Sequence, residues 1–155
     1  MTNDFIYTTY IKTTPEKVWA AITNPEFARQ YWGGHVNVSD WKKGSAWQHE
    51  DTTENKLLRV TGKVLESTPP KRLVLSWFAP SDEADSSTVT LEITPVEGMV
   101  RLDVTHGEFK PNSVMAGKVS KGWPLVLSSM KSFLETGKAI DIKAVKGCDS
   151  GKEAA

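Results

Sequence analysis

One stretch near the C-terminus constrains the fold more than any other. Between Gly122 and Gly137, apolar residues fall at 123, 126, 127, 130, 133 and 134, the i, i+3, i+4, i+7 spacing of one helical face. Ser128, Ser129, Lys131, Ser132 and Glu135 fill the opposite face. Gly137 stands where a C-cap glycine belongs, and Pro124 fits a first turn, where its missing N–H costs least. A helix with a single apolar face must be covered by something else. Nearly everything before it reads as strands, so the covering layer is a sheet.

The strands follow from alternation. Phe5 to Lys12 is rich in Ile, Tyr, Thr and Phe and predicts a first strand. Thr13-Thr14-Pro15-Glu16 then supplies a helix start, and Pro25 breaks that helix and begins a second, which ends at Gly33-Gly34. His35 to Trp47 is less regular. Ser45–Glu50, Lys56–Glu66, Arg72–Phe78, Thr88–Thr94 and Met99–His106 each predict a strand, with Gly62 marking a bend or a close approach. Ala79 to Ser87 is acidic and serine-rich and is expected as an exposed loop. Ser113 to Lys121 is expected as a lead-in helical segment, kinked into the main helix at Gly122 and Pro124. The clean alternation argues for an antiparallel sheet with one wet face.

The fold class expected is therefore α+β: a curved antiparallel sheet of about six strands wrapped around a long C-terminal helix, with two short helices after strand 1. Residues 1–138 form one domain, and 139–155 form a polar, flexible tail. Sheet and helix cannot fill the whole concavity, so a cavity between them is expected.

Bulk properties exclude several classes of function. With 19 basic and 19 acidic residues the chain carries no surplus charge to attract nucleic acid or anionic lipid. No apolar run approaches a membrane span. The start, Met1-Thr2-Asn3-Asp4, lacks the features of a secretory signal, and the single Cys148 cannot form an internal disulfide; both point to the cytoplasm. Six tryptophans in 155 residues require large apolar surroundings, from a core, a pocket or an interface.

Several pieces together resemble a known family. They are Thr14-Pro15-Glu16-Lys17-Val18-Trp19 with Pro25, the Tyr31-Trp32 pair, and Gly62-Lys63-Val64-Leu65-Glu66 with Pro69-Pro70-Lys71-Arg72-Leu73 and Ser76-Trp77. Thr105-His106, Gly122-Trp123-Pro124 and Leu134-Glu135-Thr136-Gly137 complete the series. Their order and spacing resemble the SRPBCC superfamily, the START-like helix-grip fold. Within it they resemble the group named for the activator of heat-shock-protein-90 ATPase homologue. The resemblance implies a hydrophobic cavity between sheet and long helix. It implies no single activity, because members range from lipid binders to cyclases and co-chaperone modules.

The candidate ligand-binding residues are Trp32, Trp47, His49, Trp77, His106, Phe109, Met115 and Trp123. His106 shares the parity of Val100, Leu102 and Val104 and should face inward. There it either meets a ligand as a polar or acid–base group or is a satisfied core histidine. His49 shares the parity of Trp47. The aromatic residues either line a cavity or pack as ordinary core. His35 receives no role, Arg59 and Arg72 read as exposed, and Asp82, Glu83 and Asp85 read as a solvated loop. No nucleophile elbow, phosphate loop or metal-ligand spacing is present, so no catalytic residue, metal or cofactor is expected. The expected partner is a small apolar or aromatic molecule. A chaperone partner follows only from the resemblance, a cavity enzyme using His106 is a third reading, and the choice between monomer and homodimer stays open.

Overall fold

Alternating apolar and polar residues build one sheet, and local capping signals build the helices around it. The computed structural model describes residues 4–53, 55 and 57–148. The elements are β1 (Phe5–Ile11), α1 (Pro15–Thr23), α2 (Pro25–Tyr31), β2 (His35–Ser39), β3 (Ala46–Asp51), β4 (Leu57–Thr68), β5 (Arg72–Ala79), β6 (Asp82–Val96), β7 (Met99–Gly107), α3 (Val114–Thr136) and α4 (Ile142–Cys148). The seven strands form one sheet in the order β1-β7-β6-β5-β4-β3-β2, and every pairing is antiparallel. The chain leaves one edge at β1, crosses to the opposite edge through α1 and α2, and meanders back. This is the α+β helix-grip architecture that the alternation predicts. Among the described residues no helix is long and apolar enough to cross a membrane.

The two short helices begin as their sequence dictates. Thr14 caps α1 by accepting from the Lys17 N–H, and Asn24 ends α1 while capping α2 through Glu26. Pro15 and Pro25 occupy first-turn positions, where no N–H is required. Tyr31 is wholly buried and donates its hydroxyl to the Ala21 carbonyl at 2.9 Å, tying α2 to α1.

The inward faces of the strands form the core with α3. Ile11, Leu73, Leu75, Val89, Leu91, Ile93, Val100, Leu102 and Val104 supply the sheet side, and Val119, Trp123, Val126, Leu127 and Met130 supply the helix side. Gly137 ends α3 in the left-handed conformation, with φ of 81°. Near this end Lys131 bonds to the Tyr10 carbonyl, while Glu135 accepts from the Lys12 N–H at 2.8 Å and from Lys131 at 2.7 Å. These bonds fix the C-terminal half of α3 along β1.

Four expectations change. The seventh strand is β2, whose buried run His35, Val36 and Asn37 hides its alternation. Asn37 is buried because its amide is satisfied, donating to the Ile22 carbonyl at 2.9 Å. The acidic stretch is not a loop from 79 to 87: Ala79 pairs with Asp82 and Trp77 with Ser87, so β6 begins at Asp82. Pairing with β5 overrides the weak strand preference of Asp, Glu and Ser. The helix runs unbroken from Val114 to Thr136, with Pro124 inside it rather than at its start. The tail from 139 is partly structured, because Ile142 is buried and Ser129 bonds both the N–H and the carbonyl of Ile140. Residues 149–155 of that tail, and Met1–Asn3, lie outside the described residues.

Asp85 is not part of a solvated loop. Its carboxylate accepts from the Ser113 hydroxyl at 2.6 Å and from the Met115 N–H at 3.0 Å, while Ser113 caps α3 through Ala116. A carboxylate at a helix N-terminus satisfies orphan donors and complements the dipole. It also pins the first turn of α3 to β6.

Gly62 allows the closest approach in the sheet. The Trp47 indole lies across it and donates to the Ser76 carbonyl, one strand further on, at 2.8 Å. A Cβ at Gly62 would lie 1.9 Å from that carbonyl oxygen and 2.8 Å from the indole nitrogen. Gly62→Ala is therefore expected to destabilise the protein by about 3 kcal/mol or more, measured by urea unfolding, since overpacking against backbone cannot relax. Asp85→Ala is expected to cost about 1–2 kcal/mol, the magnitude of a lost cap, with the Asp85→Asn variant retaining part of it.

Candidate functional site

The sheet is wider than the helix that covers it, and the remaining space is a cavity of about 260 Å³ between β3–β5 and α3. Its inner walls are Trp32, His49, Val60, Trp77, Met115, Val119, Trp123 and Val126, all of them buried. Leu57, which is 44% exposed, stands at its mouth together with the exposed Pro80 and Ser81. The register shifts between His49 and Glu50 and between Trp77 and Ala79 fall at wall residues. Bulges bend strands and re-aim side chains, which suits residues that must turn toward a concavity.

The aromatic wall is continuous. The Trp32 ring lies 4.7 Å from His49 and 5.7 Å from Trp123 between centroids, and Trp123 lies 5.6 Å from Trp77. The tilted arrangements are those aromatic pairs prefer, each adding about 0.5–1.5 kcal/mol beyond area burial. Trp77 donates its indole N–H to the Met115 sulfur at 3.3 Å, which ties β5 to α3.

Five of the eight residues predicted from the sequence therefore meet in one cavity: Trp32, His49, Trp77, Met115 and Trp123. The other three do not line it. Trp47 is buried behind Trp77, with ring centroids 5.2 Å apart. Phe109 stacks on His106 at 5.1 Å, away from the cavity.

His106 is a satisfied core histidine. It is 0% exposed. Its Nδ1 lies 3.1 Å from the Trp123 indole nitrogen, and its Nε2 lies 2.8 Å from Ser87 Oγ. An indole N–H only donates, so Nδ1 accepts and the ring proton sits on Nε2, donating to Ser87. Burial pushes its pKa down to about 3, so the ring is neutral. A group with both nitrogens engaged behind Trp77 and Trp123 cannot exchange protons with a molecule in the cavity. This removes the basis for an enzyme built on His106.

A second polar cluster borders the cavity, with little local sequence pattern to mark it. His49 Nδ1 donates to Asn37 Oδ1 at 2.8 Å, and its ring stacks on His35 at 5.0 Å. His35 donates from Nδ1 to the Trp32 carbonyl at 2.9 Å and sets Nε2 3.6 Å from Asp51. The same Asp51 oxygen lies 3.5 Å from the Arg59 guanidinium. Burial pushes the Asp51 carboxyl up, but bonds from the Thr53 hydroxyl and N–H and the charges of His35 and Lys143 outweigh it and hold the group below its ordinary value. Among the described residues, no group of three or more His, Cys, Asp or Glu side chains converges as metal ligands would.

Arg59 and Lys118 also line the cavity, although Arg59 reads from the sequence as an exposed strand residue. The signal that places Lys118 is its spacing, three residues after Met115 and four before Gly122 on the same helical face. Nothing local to Arg59 marks it, because its place depends on the bend of β4 and on Asp51.

The match to known families covers most of this architecture. The model of the family described as Activator of Hsp90 ATPase homolog 1-like protein matches residues 12–135, from the end of β1 to the last turn of α3. The chain belongs to this family. Solved structures share its fold. The Aha1 dimer from Colwellia psychrerythraea is 20% identical with a TM-score of 0.71, covering 89% of this chain and 100% of that one. ChR145 from Cytophaga hutchinsonii is 26% identical with a TM-score of 0.68, covering 86% and 94%. PFC0360w from Plasmodium falciparum, described as an HSP90 activator, is 24% identical with a TM-score of 0.61, covering 93% and 96%. No curated protein matches. In this member of the Activator of Hsp90 ATPase homolog 1-like family, the bond from Trp123 to His106 joins the sheet to the middle of α3.

The neutral state of His106 makes a pH prediction. Its native pKa is about 3, whereas the unfolded ring titrates near 6.5. Between these values the unfolded chain binds more protons, so stability is full above about pH 6.5 and falls as pH drops toward about 3, by up to about 1.4 kcal/mol per unit from this group. His106→Gln removes that contribution. The stability gap between wild type and His106→Gln in urea should therefore shrink from about pH 7 to about pH 5. A gap independent of pH would contradict a buried neutral imidazole.

Proposed function

We propose that the protein binds a small apolar or aromatic molecule in the cavity between the sheet and α3. One observation carries this reading: a space of about 260 Å³ opens to solvent at one end while Trp32, Trp77 and Trp123 wall its interior. A pocket needed only for folding would be filled, because interiors pack close to crystal density and voids are costly. The volume lies just below the usual range of about 300–1,000 Å³ for ligand sites, which favours a body of one or two rings over a sterol or a long acyl chain. His106, which sequence parity nominates as an acid–base group, is engaged with Ser87 and Trp123. Binding rather than turnover is the chemistry this arrangement supports.

Family membership supports a second reading, a chaperone-related protein that acts through its surface. One structural relative is described as an HSP90 activator and another as a dimer. Exposed apolar side chains such as Ile6 on β1 and Val114 at the start of α3 are available to a protein partner. Purified Hsp90 should then retain the protein on a column, and lack of retention would remove this reading without affecting the first.

The cavity reading is tested by thermal unfolding and tryptophan fluorescence with naphthalene, indole and their simple derivatives. At a ligand concentration about one hundred times Kd, stability should rise by about 2.7 kcal/mol, and Tm should rise by about 5–10 °C. Val119→Phe, which fills the cavity from α3, should hold or raise Tm in the absence of ligand and abolish the ligand-induced shift. If no compound shifts wild type beyond the Val119→Phe control, the cavity is not a ligand site.

A further inference from the structure

We propose that the open edge of β1 is an interface with a second copy of this chain: two β1 strands pair antiparallel about a two-fold axis at Thr8 and continue the sheet. The open edge follows from the hairpin register. Val96 pairs with Met99 across a two-residue turn, Glu97-Gly98, with positive φ at both positions. The pair that closes such a turn is hydrogen-bonded, so the N–H and C=O of Met99, and of every second residue after it, face β6. Those of Val100, Leu102, Val104 and His106 face β1, where they meet Ile11, Thr9, Tyr7 and Phe5. The N–H and C=O groups of Ile6, Thr8 and Tyr10 therefore point away from the sheet, and among the described residues no strand lies beyond them.

Native sheet edges are blunted by short length, charge, proline or bulges. From Phe5 to Ile11, β1 has no Pro, no Gly and no charged residue, and its seven residues pair with β7 in unbroken register. Ile6 is 67% exposed and Tyr10 46%. The opposite edge differs: β2 has five residues and lies against α2. α3 closes β1 at one end, where Lys131 bonds the Tyr10 carbonyl and Glu135 accepts from the Lys12 N–H. A carbonyl has two lone pairs, so Tyr10 keeps one for a neighbouring strand.

The order of the outward side chains points to a second copy. Asp4, Ile6, Thr8, Tyr10 and Lys12 are exposed at alternate positions, so they share the outer face of the sheet. In a two-fold antiparallel pairing centred on Thr8, Thr8 meets itself and Ile6 meets Tyr10 of the second copy. Asp4 then meets Lys12 of the second copy at both ends. Aromatic with β-branched residues and opposite charges are favourable cross-strand pairs. Centring on Tyr7 instead sets Asp4 against Tyr10, and centring on Thr9 sets Ile6 against Lys12. The Thr8 register is the one that matches apolar with apolar and acid with base. It occupies both β1 edges, so association stops at two copies. No residue of β1 lines the cavity, so the pairing is independent of any ligand.

Sedimentation equilibrium of the full chain, from micromolar to millimolar concentration, tests the pairing. One added strand pair is a small interface, so a dimer with Kd in the micromolar range or weaker is expected. Ile6→Lys alters a side chain that is mostly in solvent and should raise Kd about tenfold or more, because it places a lysine on the edge twice per dimer. Asp4→Lys and Lys12→Asp each set like charges opposite at both ends, and each should weaken its own homodimer about three- to tenfold. An equimolar mixture of those two variants opposes unlike charges again and should associate within about threefold of wild type. Thermal melting of each variant separates loss of association from loss of fold. A chain that stays monomeric throughout the range, or a dimer that Ile6→Lys leaves unchanged, overturns the interface. A mixture that associates no more tightly than its two components overturns the Thr8 pairing.

Discussion

The structure depends on a mismatch of widths. Seven strands at about 4.8 Å spacing span about 29 Å, whereas a helix with its side chains is about 10–12 Å across. One helix cannot cover one face of such a sheet. The sheet answers by curving, through register shifts along β3, β4 and β5, and the chain answers by laying α2 on β2 and α1 against both β2 and β6. Large side chains close most of what is left. Six tryptophans in this chain are a consequence of that geometry, since no other residue fills so much space at one position.

Polar bonds decide where the residual space lies. Trp47, Trp77 and Trp123 donate their indole N–H groups to the Ser76 carbonyl, the Met115 sulfur and His106. Each bond joins elements remote in sequence. For Trp77 and Trp123 it also occupies the polar edge of a ring that lines the cavity. What those rings leave facing the cavity is apolar surface.

Much of this was legible in the sequence, for identifiable reasons. The faces of β5, of Thr88–Thr94 in β6 and of β7 follow from alternation, because one side of the sheet is wet. The caps at Thr14 and Gly137 follow from local chemistry. Gly62 announced a close approach, and the Trp47 indole fills it. The misses share one cause: they depend on partners far along the chain. Asp82 to Ser87 looks like a loop until β5 is beside it. Asp85 looks solvated until the start of α3 reaches it, 28 residues on. His106 has the parity of a ligand contact, but its role is set by Ser87 and Trp123, which no periodicity places next to it. His35 and Arg59 carry no local signal, and both take their position from Asp51.

The bond between His106 and Trp123 has a consequence for α3 as a body. A helix seated only by apolar side chains can turn about its axis or slide along it, because greasy contacts are forgiving of small displacements. Successive residues are about 100° apart around that axis, so even a modest turn would exchange wall residues for solvent-facing serines. The His106 bond sets the azimuth of α3. Asp85 at one end and Glu135 with Lys131 at the other set its axial position. The helix is keyed in place like a shaft in a slot, and the shape of the empty space beside it is maintained by hydrogen bonds whose acceptors lie outside that space.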